Sequence, residues 1–494
     1  MKKIVSVENM RKSDAATIAG GIPGRELMYR AGVGILGGVT WRGRIAIVCG
    51  SGNNGGDGYV LATLLWDRGF SCTLYLLSDR FSADGKYYYD ACAERGIPSV
   101  LCDDGTDLSG YDMIVDCIFG TGFRGEATGL AGRIIERINA SGAYVVSVDI
   151  NSGMNGDNGR GETAVRSDLT VSVGTYKPGH FLNRAKDLIG DKVNVDIGIG
   201  ILEKPYHLFE AEDVRRVLTP RRQDSNKSTY GYIALVGGSE CYSGAIRLAA
   251  LAESAMRSGA GVTMIAAPKG LSPVILPAIL ESTFYPLSEE NGMLRFSEEE
   301  FERLTRRVRV IAFGMGIGNS ADTERAVEYL LKHYTGTLIL DADGLNALAR
   351  LPRTLLSETS ASVILTPHPL EFARLSGKTV GEVLDAPIPL AAEYARETGA
   401  VVLLKGAATV ITDGNEVILT DRGCAGMATA GSGDVLSGIL AAMCGYCGDR
   451  LLAAAAAAFV NGYAGELAEQ ESNAIAMTAG DTARKVKDAI VALA

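Results

Sequence analysis

One local arrangement recurs along the sequence: a short apolar run rich in β-branched residues, a loop rich in glycine or polar residues, and then a helical pattern. Examples are Arg44–Cys49 and Met113–Ile118 in the first half, and Tyr232–Val236 and Thr337–Leu340 in the second. This alternation is typical of βα units that build parallel sheets. It predicts an α/β fold throughout, with ligand-binding loops at the carboxyl ends of the strands.

The chain is too long for one compact core. At about 150 residues per domain, 494 residues predict at least two domains. The βα pattern breaks between Tyr206 and Ser228, where a short acidic helix, Glu210–Leu218, precedes a polar segment. We expect the domain boundary there.

Composition narrows the function classes. The net charge is −10 and no long Lys/Arg run occurs, which argues against a nucleic-acid partner. No apolar segment is long enough for a signal peptide or a membrane span, and the most apolar stretch, Val435–Val460, is interrupted by Asp449 and Arg450. We therefore predict a cytoplasmic protein without a membrane partner. Nine scattered cysteines make a poor disulfide framework, and Cys444-Gly-Tyr-Cys447 ends a helix rather than opening one, which favours structural thiols.

Three loops of the first half follow predicted strands. The first, Gly50–Gly58, satisfies the glycine fingerprint of dinucleotide-binding folds, which is weak evidence by itself. Its Asn53-Asn54-Gly55-Gly56-Asp57 block is more specific, because amide and carboxylate groups in a loop that donates backbone N–H groups can hold a ligand and a cation. The other two loops are Asp116–Glu126 and Asp149–Gly153.

Strand-end loops converge at one edge of a parallel sheet, so these residues are expected to meet. Asn54, Asp116 and Ser152 would offer hard oxygen ligands, which suit group I or II cations better than zinc. Asp149 remains for proton chemistry, with a pKa that burial would raise and a nearby cation would lower. The alternative is that Asp116 and Asp149 only cap strands or helices.

In this order, the motifs NNGGDG, DxxFGTGxRG and VDxxSG resemble the YjeF N-terminal, or NAD(P)H-hydrate epimerase, family over residues 1–210. The resemblance implies a Rossmann-like three-layer domain that interconverts the R and S forms of hydrated NADH or NADPH. It implies a potassium ion on Asn54, Asp116 and Ser152. The residues it assigns to the hydrated dinucleotide are Asn53, Asn54, Gly55, Gly56, Asp57, Gly120, Thr121, Gly122, Phe123, Arg124, Gly125, Glu126 and Asp149. The family usually has proline where Asn151 stands, so we expect a looser loop there.

The most specific motif of the second half is Ala428-Thr-Ala-Gly-Ser-Gly-Asp-Val-Leu-Ser-Gly438. Gly431, Ser432 and Gly433 can present consecutive N–H groups at a helix N-terminus, where phosphate oxygens bind favourably. Asp434 follows at once and could accept the proton of a hydroxyl group during phosphoryl transfer. The alternative is an aspartate that only caps the helix.

Further loops agree with a nucleotide and substrate cleft. Gly237–Ala245 and Gly314–Asn319 are glycine-rich, and Lys405–Thr409 could receive a nucleotide, although it lacks the P-loop spacing. His368 lies between two prolines and is either a site residue or a buried structural histidine. His180, His207 and His333 show no cluster with cysteines or acids and receive no metal role.

GGS…YSGA, GxGxGN, LDADGLNAL, TPHPxEF, KGAATV and MATAGSGDVLSG occur in this order, and the set resembles the ADP/ATP-dependent NAD(P)H-hydrate dehydratase family over residues 213–494. The resemblance implies a ribokinase-like fold. It assigns Ala245, Gly318, His368 and Asp434 to the hydrated nicotinamide, and Lys405, Gly406, Ala407, Ala408, Thr409 and Gly433 to the nucleotide. Leu370, Met315 and Asn226 depart from the usual glycine, proline and histidine.

Together, the two resemblances imply a bifunctional repair enzyme that epimerises hydrated NAD(P)H and dehydrates the S form at the expense of ADP or ATP. Asp149 and Asp434 are the expected reactive groups, and magnesium is expected with the nucleotide. The family tendency is towards homo-oligomers and, in bacterial-type fusions, ADP. The alternatives are a Rossmann dehydrogenase fused to a small-molecule kinase, and a non-catalytic nucleotide sensor.

Overall fold

The computed structural model describes residues 1–250, 255–278 and 280–494. The chain divides into two compact units, Lys3–Tyr206 and His207–Ala494, and Met1–Lys2 is grouped with the second. The Met1 amino group lies 2.9 Å from the Asp213 carboxylate.

The first unit is a parallel sheet with helices packed against it. A short strand, β1 (Lys2–Ile4), precedes this sheet and is not part of it. The strands of the sheet are β2 (Arg44–Cys49), β3 (Ser71–Leu76), β4 (Ser99–Leu101), β5 (Met113–Cys117), β6 (Tyr144–Val148), β7 (Ser167–Val173) and β8 (Ile189–Val195). Its helices are α1 (Val7–Ala19), α2 (Gly24–Gly38), α3 (Asn53–Asp67), α4 (Ala83–Glu94), α5 (Gly129–Ala140) and α6 (Ala185–Leu188).

The strand order β4-β3-β2-β5-β6-β7-β8 determines where a ligand binds in this unit. All pairs are parallel, and β2 has β3 on one side and β5 on the other. The chain therefore reverses its direction of winding between β2 and β5, and such a switch point opens a crevice at the carboxyl ends of the two strands. The crevice lies between the Gly50–Gly58 loop and the Asp116–Glu126 loop.

The second unit is a larger mixed sheet. Its strands are β9 (Tyr206–Leu208), β10 (Tyr232–Val236), β11 (Val262–Pro268), β12 (Thr283–Leu287), β13 (Glu289–Glu290), β14 (Met293–Leu294), β15 (Val310–Phe313), β16 (Thr337–Leu340), β17 (Ser362–Leu365), β18 (Val401–Leu404), β19 (Thr409–Thr412) and β20 (Val417–Thr420). Its helices are α7 (Ala211–Val214), α8 (Ser243–Ala250), α9 (Ser272–Ile275), α10 (Glu298–Thr305), α11 (Ala321–His333), α12 (Asp343–Leu348), α13 (Thr354–Glu358), α14 (Pro369–Ser376), α15 (Val380–Asp385), α16 (Pro387–Thr398), α17 (Ser432–Tyr446), α18 (Arg450–Glu471) and α19 (Ala479–Leu493).

In this unit the order is β9-β20-β19-β18-β17-β16-β15-β10-β11-β12. The strands from β12 to β18 are parallel, whereas β18, β19 and β20 form an antiparallel meander. β19 and β20 form a hairpin with Asp413-Gly414 in its turn, a residue pair that favours such turns. The switch point lies between β10 and β15, so the loops after these two strands face one crevice.

The central helices explain the apolar C-terminal sequence. Ala453–Ala458 lie in α18 and are buried against neighbouring elements that include α17 and α19, since alanine allows close packing at little entropic cost. By length and composition α18 could span a membrane, but most of its apolar window is buried inside the structure, as in a core helix.

Candidate active sites of the two units

A cavity of about 580 Å³ opens at the switch point of the first unit. This volume lies within the range of small-molecule and cofactor sites. All three predicted loops contribute to it through Asn53, Asn54, Asp57, Gly120, Thr121, Gly122, Phe123 and Asp149. The remaining lining comes mostly from α1, α2 and segments after β5, β7 and β8, and includes Arg11, Asp14, Met28 and Lys177.

Glycine is required where the first loop turns into α3. A Cβ on Gly55 would lie 2.1 Å from the Gly50 carbonyl oxygen, and one on Gly120 would lie 2.8 Å from Asp149 Oδ2 and 3.4 Å from Asn54 Cβ. Gly55 and Gly56 are buried behind the cavity rather than in its wall. The close approach at Gly120 puts Asn54 and Asp149 on the same small patch of the site.

Asp149 is held by a lysine that the sequence reasoning missed. Lys177 Nζ lies 2.6 Å from Asp149 Oδ1 and donates to the Val173 carbonyl at 2.8 Å, and its side chain is only 2% exposed. The Thr121 N–H and hydroxyl both donate to Asp149 Oδ2, at 2.8 and 2.9 Å. Asp149 also has a φ of 66°, an uncommon value for a non-glycine residue that is often found at functional sites.

Of the two opposing effects expected at Asp149, the one that lowers its pKa prevails. Burial acts to raise the pKa of Asp149, but the Lys177 ammonium, its hydrogen bond, the Thr121 N–H and His180 together lower it below the ordinary value. Asp149 is therefore ionised, and it forms an ion pair with Lys177. The signal for Lys177 was its place in Thr175-Tyr-Lys-Pro-Gly-His180, directly after a strand.

His180 hydrogen-bonds to the backbone of both residues of this pair. The Lys177 N–H donates to His180 Nδ1 at 3.0 Å, so Nε2 carries the proton and donates to the Asp149 carbonyl oxygen at 2.7 Å. Burial and then Lys177 lower the pKa of His180 to about 4. The histidine is neutral and orients the loop that carries Asp149.

Asp57 is a second carboxyl group in the cavity that contains Asp149. It lines the cavity, and its carboxyl group makes no hydrogen bond to another described residue. Burial and then the negative charge of Asp149 raise the pKa of Asp57 well above its ordinary range, against the opposing effect of Lys177. The cavity thus contains two carboxyl groups whose pKa values are shifted in opposite directions, an arrangement typical of acid–base sites.

Asp116 and Ser152 are joined directly. Ser152 Oγ and N–H donate to Asp116 at 2.5 and 2.9 Å, and Ser147 and the Ile118 N–H complete the set. Burial raises the pKa of Asp116 in spite of these hydrogen bonds. In Asn54, neither polar side-chain atom has a hydrogen-bond partner among the described residues, although both are buried. A fully buried carboxylate and a free amide oxygen fit the donor chemistry of a hard cation.

The expected loosening at Asn151 is wrong. Its Nδ2 donates to the Val165 and Leu188 carbonyls and to Ser167 Oγ, at 2.9–3.0 Å, and its Oδ1 accepts from Thr170 Oγ1. Because Asn151 is fully buried, these hydrogen bonds anchor the loop that carries Asp149 and Ser152.

The last three residues of the predicted Gly120–Glu126 segment lie outside the cavity lining. Arg124 pairs with Asp157 at 3.1 Å and donates to the carbonyls of Thr121 and Phe123, while Gly125 and Glu126 are exposed. Phe123 stacks on Phe119 at 4.5 Å. Arg124 therefore stabilises the loop rather than facing the cavity.

In the second unit, the predicted loops converge at the carboxyl edge of the parallel strands. Ser239 Oγ donates to the Gly316 carbonyl at 2.8 Å, and a Cβ on Gly316 would lie 2.9 Å from that of Ala245. Gly318 follows in the same wall, with a φ of 89°. Ala245 and Gly318 therefore belong to one surface of the crevice.

Helix α17 begins at the predicted anion-binding turn. Gly431 has a φ of 98°, which a residue with a side chain adopts only under strain, and it turns the chain into the first N–H groups of the helix. Gly433 lies close to Lys405, because a Cβ there would be 3.3 Å from Lys405 Nζ. Backbone donors, the helix dipole and an ammonium group thus meet at one point, as phosphate binding requires.

Asp434 lies at this turn, and its carboxyl group makes no hydrogen bond to any other described residue. Burial and then Asp341 raise its pKa to about 7, against the opposing charge of Lys405. It is neither turned fully into solvent nor locked in an ion pair. A carboxylate of this strength is suited to accept a proton near neutral pH.

Lys405 is itself fixed by buried acids. Its Nζ lies 3.0 Å from Asp341 Oδ1 and 3.9 Å from Glu371 Oε2. Burial opposes its charge, but Asp341 and Glu371 prevail and raise the pKa of Lys405. Gly406 and Ala407 are exposed, whereas Ala408 is buried and Thr409 begins β19.

His368 caps α14, and its side chain is 46% exposed, so it is not a buried structural histidine. Its Nδ1 accepts from the N–H groups of Leu370 and Glu371, which leaves the proton on Nε2. Burial and then Lys405 lower the pKa of His368. A neutral imidazole beside Lys405 can donate a hydrogen bond to a ligand.

The other sequence features fall outside the two sites. Among the described residues every cysteine is free, and no group of three His, Cys, Asp or Glu side chains could hold a metal ion. Of the departures from the family pattern, Met315 is buried, Leu370 is exposed beside His368, and Asn226 accepts from the Ser228 N–H.

Comparisons with known proteins identify the family of each unit. Residues 233–488 match the family model for NAD(P)H-hydrate dehydratase, and residues 24–179 match that of the YjeF-related protein N-terminus. The chain is 36% identical to the bifunctional NAD(P)H-hydrate repair enzyme of Moorella thermoacetica, with 93% of this chain and 91% of that protein covered. It is 34% identical to the enzyme of the same name from Archaeoglobus fulgidus, with 99% of both chains covered.

Solved structures resemble the second unit. The ADP/ATP-dependent NAD(P)H-hydrate dehydratase of Bacillus subtilis, co-crystallised with ATP/Mg2+, is 29% identical and superposes with a TM-score of 0.51. The match covers 58% of this chain and 99% of that one. With two family models in series and relatives matched over nearly their whole length, the chain belongs to the family of bifunctional NAD(P)H-hydrate repair enzymes.

Proposed function

We propose that the protein repairs hydrated nicotinamide cofactors: it interconverts the R and S hydrates of NADH and NADPH and dehydrates the S form at the expense of ADP or ATP. Residues 1–210 would form the epimerase domain and residues 213–494 the dehydratase domain. The observation that carries the proposal is Asp434, a partly buried base beside Lys405 at the N-terminus of α17.

For epimerisation, the hydrated ring would lie in the cavity of the first unit. The R and S forms differ at the carbon that bears the hydroxyl group, so exchange requires that this centre open and close again. Asp57, as a carboxylic acid, would donate a proton to the departing oxygen, and the ionised Asp149, held by Lys177 and Thr121, would stabilise the positive charge that develops on the ring.

A potassium ion would be held by Asn54, Asp116 and Ser152. The unpartnered amide of Asn54 and the buried carboxyl group of Asp116 support this assignment, because Asp116 has hydrogen-bond donors but no basic side chain paired with it among the described residues, and buried charges are usually paired or bound to a metal. The ion would supply positive charge that orients the substrate.

For dehydration, Asp434 would accept the proton of the ring hydroxyl while its oxygen attacks the terminal phosphorus of the nucleotide. The bond to the leaving AMP or ADP breaks, and the N–H groups at the start of α17 together with Lys405 stabilise the phosphoryl oxygens. Phosphate then leaves from the ring carbon, a proton leaves the neighbouring carbon, and the double bond of NAD(P)H is restored.

Magnesium would accompany the nucleotide, held chiefly by its phosphates. Both oxygens of Asp341 already accept from Lys405 and Ser437, and both oxygens of Asp343 accept from Gly318 and Asn319. A phosphate site built largely from backbone groups does not select between ADP and ATP, and family analogy favours ADP. We further propose a cytoplasmic homo-oligomer that acts on small molecules, not on nucleic acid or membranes.

The proposal is tested with a mixture of R and S hydrate, magnesium, potassium and either ADP or ATP, by following the absorbance of reduced nicotinamide. We expect the hydrate to be converted completely, with one phosphate released per molecule repaired. If neither nucleotide supports recovery, the proposal fails. If a stable phosphorylated product accumulates instead, the second unit is a small-molecule kinase.

A further inference from the structure

The segment Asp341-Ala342-Asp343 after β16 contains a strained residue between two acids. Ala342 has a φ of 48° and a ψ of −116°, which is unfavourable for any residue with a side chain. Such conformations persist only where the surroundings impose them, and they cluster at functional sites. Here the surroundings are the contacts of the two flanking carboxylates.

Asp341 connects three elements at the anion-binding turn. It is 2% exposed; its Oδ1 lies 3.0 Å from Lys405 Nζ after β18, and its Oδ2 accepts from Ser437 Oγ on α17 at 2.8 Å. Ser437 follows Asp434 by three residues and therefore lies on the same side of the helix, one turn later. A Cβ on Gly433 would be 3.7 Å from Asp341 Oδ2, so the carboxylate lies against the first turn itself.

Asp343 holds the opposite wall. Its Oδ2 accepts from the Gly318 N–H and its Oδ1 from Asn319 Nδ2, both at 2.9 Å. One strained turn thus fixes the phosphate side of the crevice through Asp341 and the Gly314–Asn319 wall through Asp343.

We propose that Asp341 is a positioning residue for phosphoryl transfer: it fixes the Lys405 ammonium and, through Ser437, the turn of α17 that carries Asp434. This inference rests on the dehydration proposed above. Asp341 acts through Lys405 and Asp434 and does not itself touch the reacting atoms.

The charges around Asp434 determine whether its pKa rises or falls when Asp341 or Lys405 is replaced. Asp341 and Asp343 raise the pKa of Asp434, and Lys405 lowers it. Glu371 on α14 lies 3.9 Å from Lys405 Nζ, and the charge of Lys405 also lowers the pKa of His368, the N-cap residue of that helix. Removal of the Asp341 charge should therefore make Asp434 a weaker base, whereas removal of the Lys405 charge should make it a stronger one.

The test compares Asp341→Asn, Ser437→Ala and Lys405→Met with the unaltered enzyme. We measure the pH profile of kcat/KM for dehydration of S hydrate, and the Kd of ADP with magnesium but without hydrate. For Asp341→Asn we expect about tenfold weaker ADP binding and an acidic limb at lower pH. For Lys405→Met the acidic limb should move to higher pH. For Ser437→Ala, which keeps the charge of Asp341, the acidic limb should remain at the pH of the unaltered enzyme.

Epimer exchange and the thermal midpoint serve as controls for folding. If Asp341→Asn fails to fold, the upward shift in Lys405→Met still tests the arrangement. The inference is overturned if Asp341→Asn binds ADP normally with an unshifted limb, or if Ser437→Ala or Lys405→Met shifts the limb in the same direction as Asp341→Asn. If the unaltered enzyme cannot dehydrate S hydrate, the proposed function fails instead.

Discussion

At the scale of the residue, the two sites contain aspartates whose pKa values are shifted in different directions. Lys177 lies against Asp149 and lowers the pKa of Asp149, whereas burial and the charge of Asp149 raise the pKa of Asp57 in the same cavity. Asp434 lies between these cases, since Lys405 partly offsets burial and the charge of Asp341. The neighbouring charge, rather than the residue type, decides what each aspartate can do.

Asp434 determines the pH dependence of dehydration. A base must be ionised to accept a proton, so kcat/KM for S hydrate should be constant above pH 7 and fall about tenfold per unit below the pKa of about 7. The measurement is an initial-rate profile from pH 5 to 9, with epimer exchange as the internal control. A rate that stays flat down to pH 5, as an ordinary aspartate with a pKa of about 3.9 would give, contradicts the assignment.

The Lys177–Asp149 pair can be tested by removing its charges singly and together. Lys177→Met leaves Asp149 buried without its partner and should lower the free energy of unfolding of the first unit by about 3–5 kcal/mol. The double variant Asp149→Asn/Lys177→Met has no unpaired charge and should regain most of that stability without regaining epimerisation. Thermal midpoints and exchange rates check both points. An active double variant would show that the pair serves folding alone.

Most residues of the two sites were predictable from the sequence, but their electrostatics were not. Asn54, Asp116, Asp149 and Asp434 stand in glycine-rich loops after apolar runs, and that pattern identifies them. Lys177 is 28 residues from Asp149, and it comes close only because β6 and β7 pair in parallel with Val146 beside Leu169. A pKa depends on such neighbours, so its direction at Asp149 could not be predicted.

At the scale of the element, the strands with continuous apolar runs were the predictable ones. Runs such as Arg44–Cys49 and Val401–Leu404 are buried central strands. The strands β7 and β8 are not among the continuous apolar runs: Ser167–Val173 carries polar residues between its apolar ones, and Ile189–Val195 is a mostly polar edge strand. The predicted acidic helix at Glu210–Leu218 is shorter, Ala211–Val214.

The start of α17 depends on the backbone of Gly431. In Gly431→Ala, the positive φ is strained and the new Cβ would lie 2.5 Å from Leu248 Cδ1, so the first turn must shift. A displacement of about 1 Å can cost about a hundredfold in rate, so dehydration should fall by tenfold or more while epimerisation is retained. The control is Gly448→Ala after the same helix, where no atom lies within 4 Å. Equal rates in the two variants would exclude the anion-binding role of this turn.

At the scale of the whole molecule, each unit has its own sheet, its own switch point and its own pair of crevice loops. The break in the βα pattern after Tyr206 coincides with the division into units, because β8 is the last strand of the first sheet and β9 belongs to the sheet of the second unit. Epimerisation in one unit and dehydration in the other would allow both hydrates to be repaired by one chain, although only the S form is dehydrated.

The most direct measurement starts from purified R hydrate, with magnesium, potassium and ADP or ATP, and follows reduced nicotinamide against an enzyme-free control. The unaltered enzyme should convert it fully. Asp149→Ala should convert S hydrate but, beyond the uncatalysed rate, no R hydrate, and Asp434→Ala should convert neither while still exchanging the epimers. Failure of the unaltered enzyme to recover cofactor from R hydrate, or undiminished recovery by Asp149→Ala, would contradict this division of the repair between the two units.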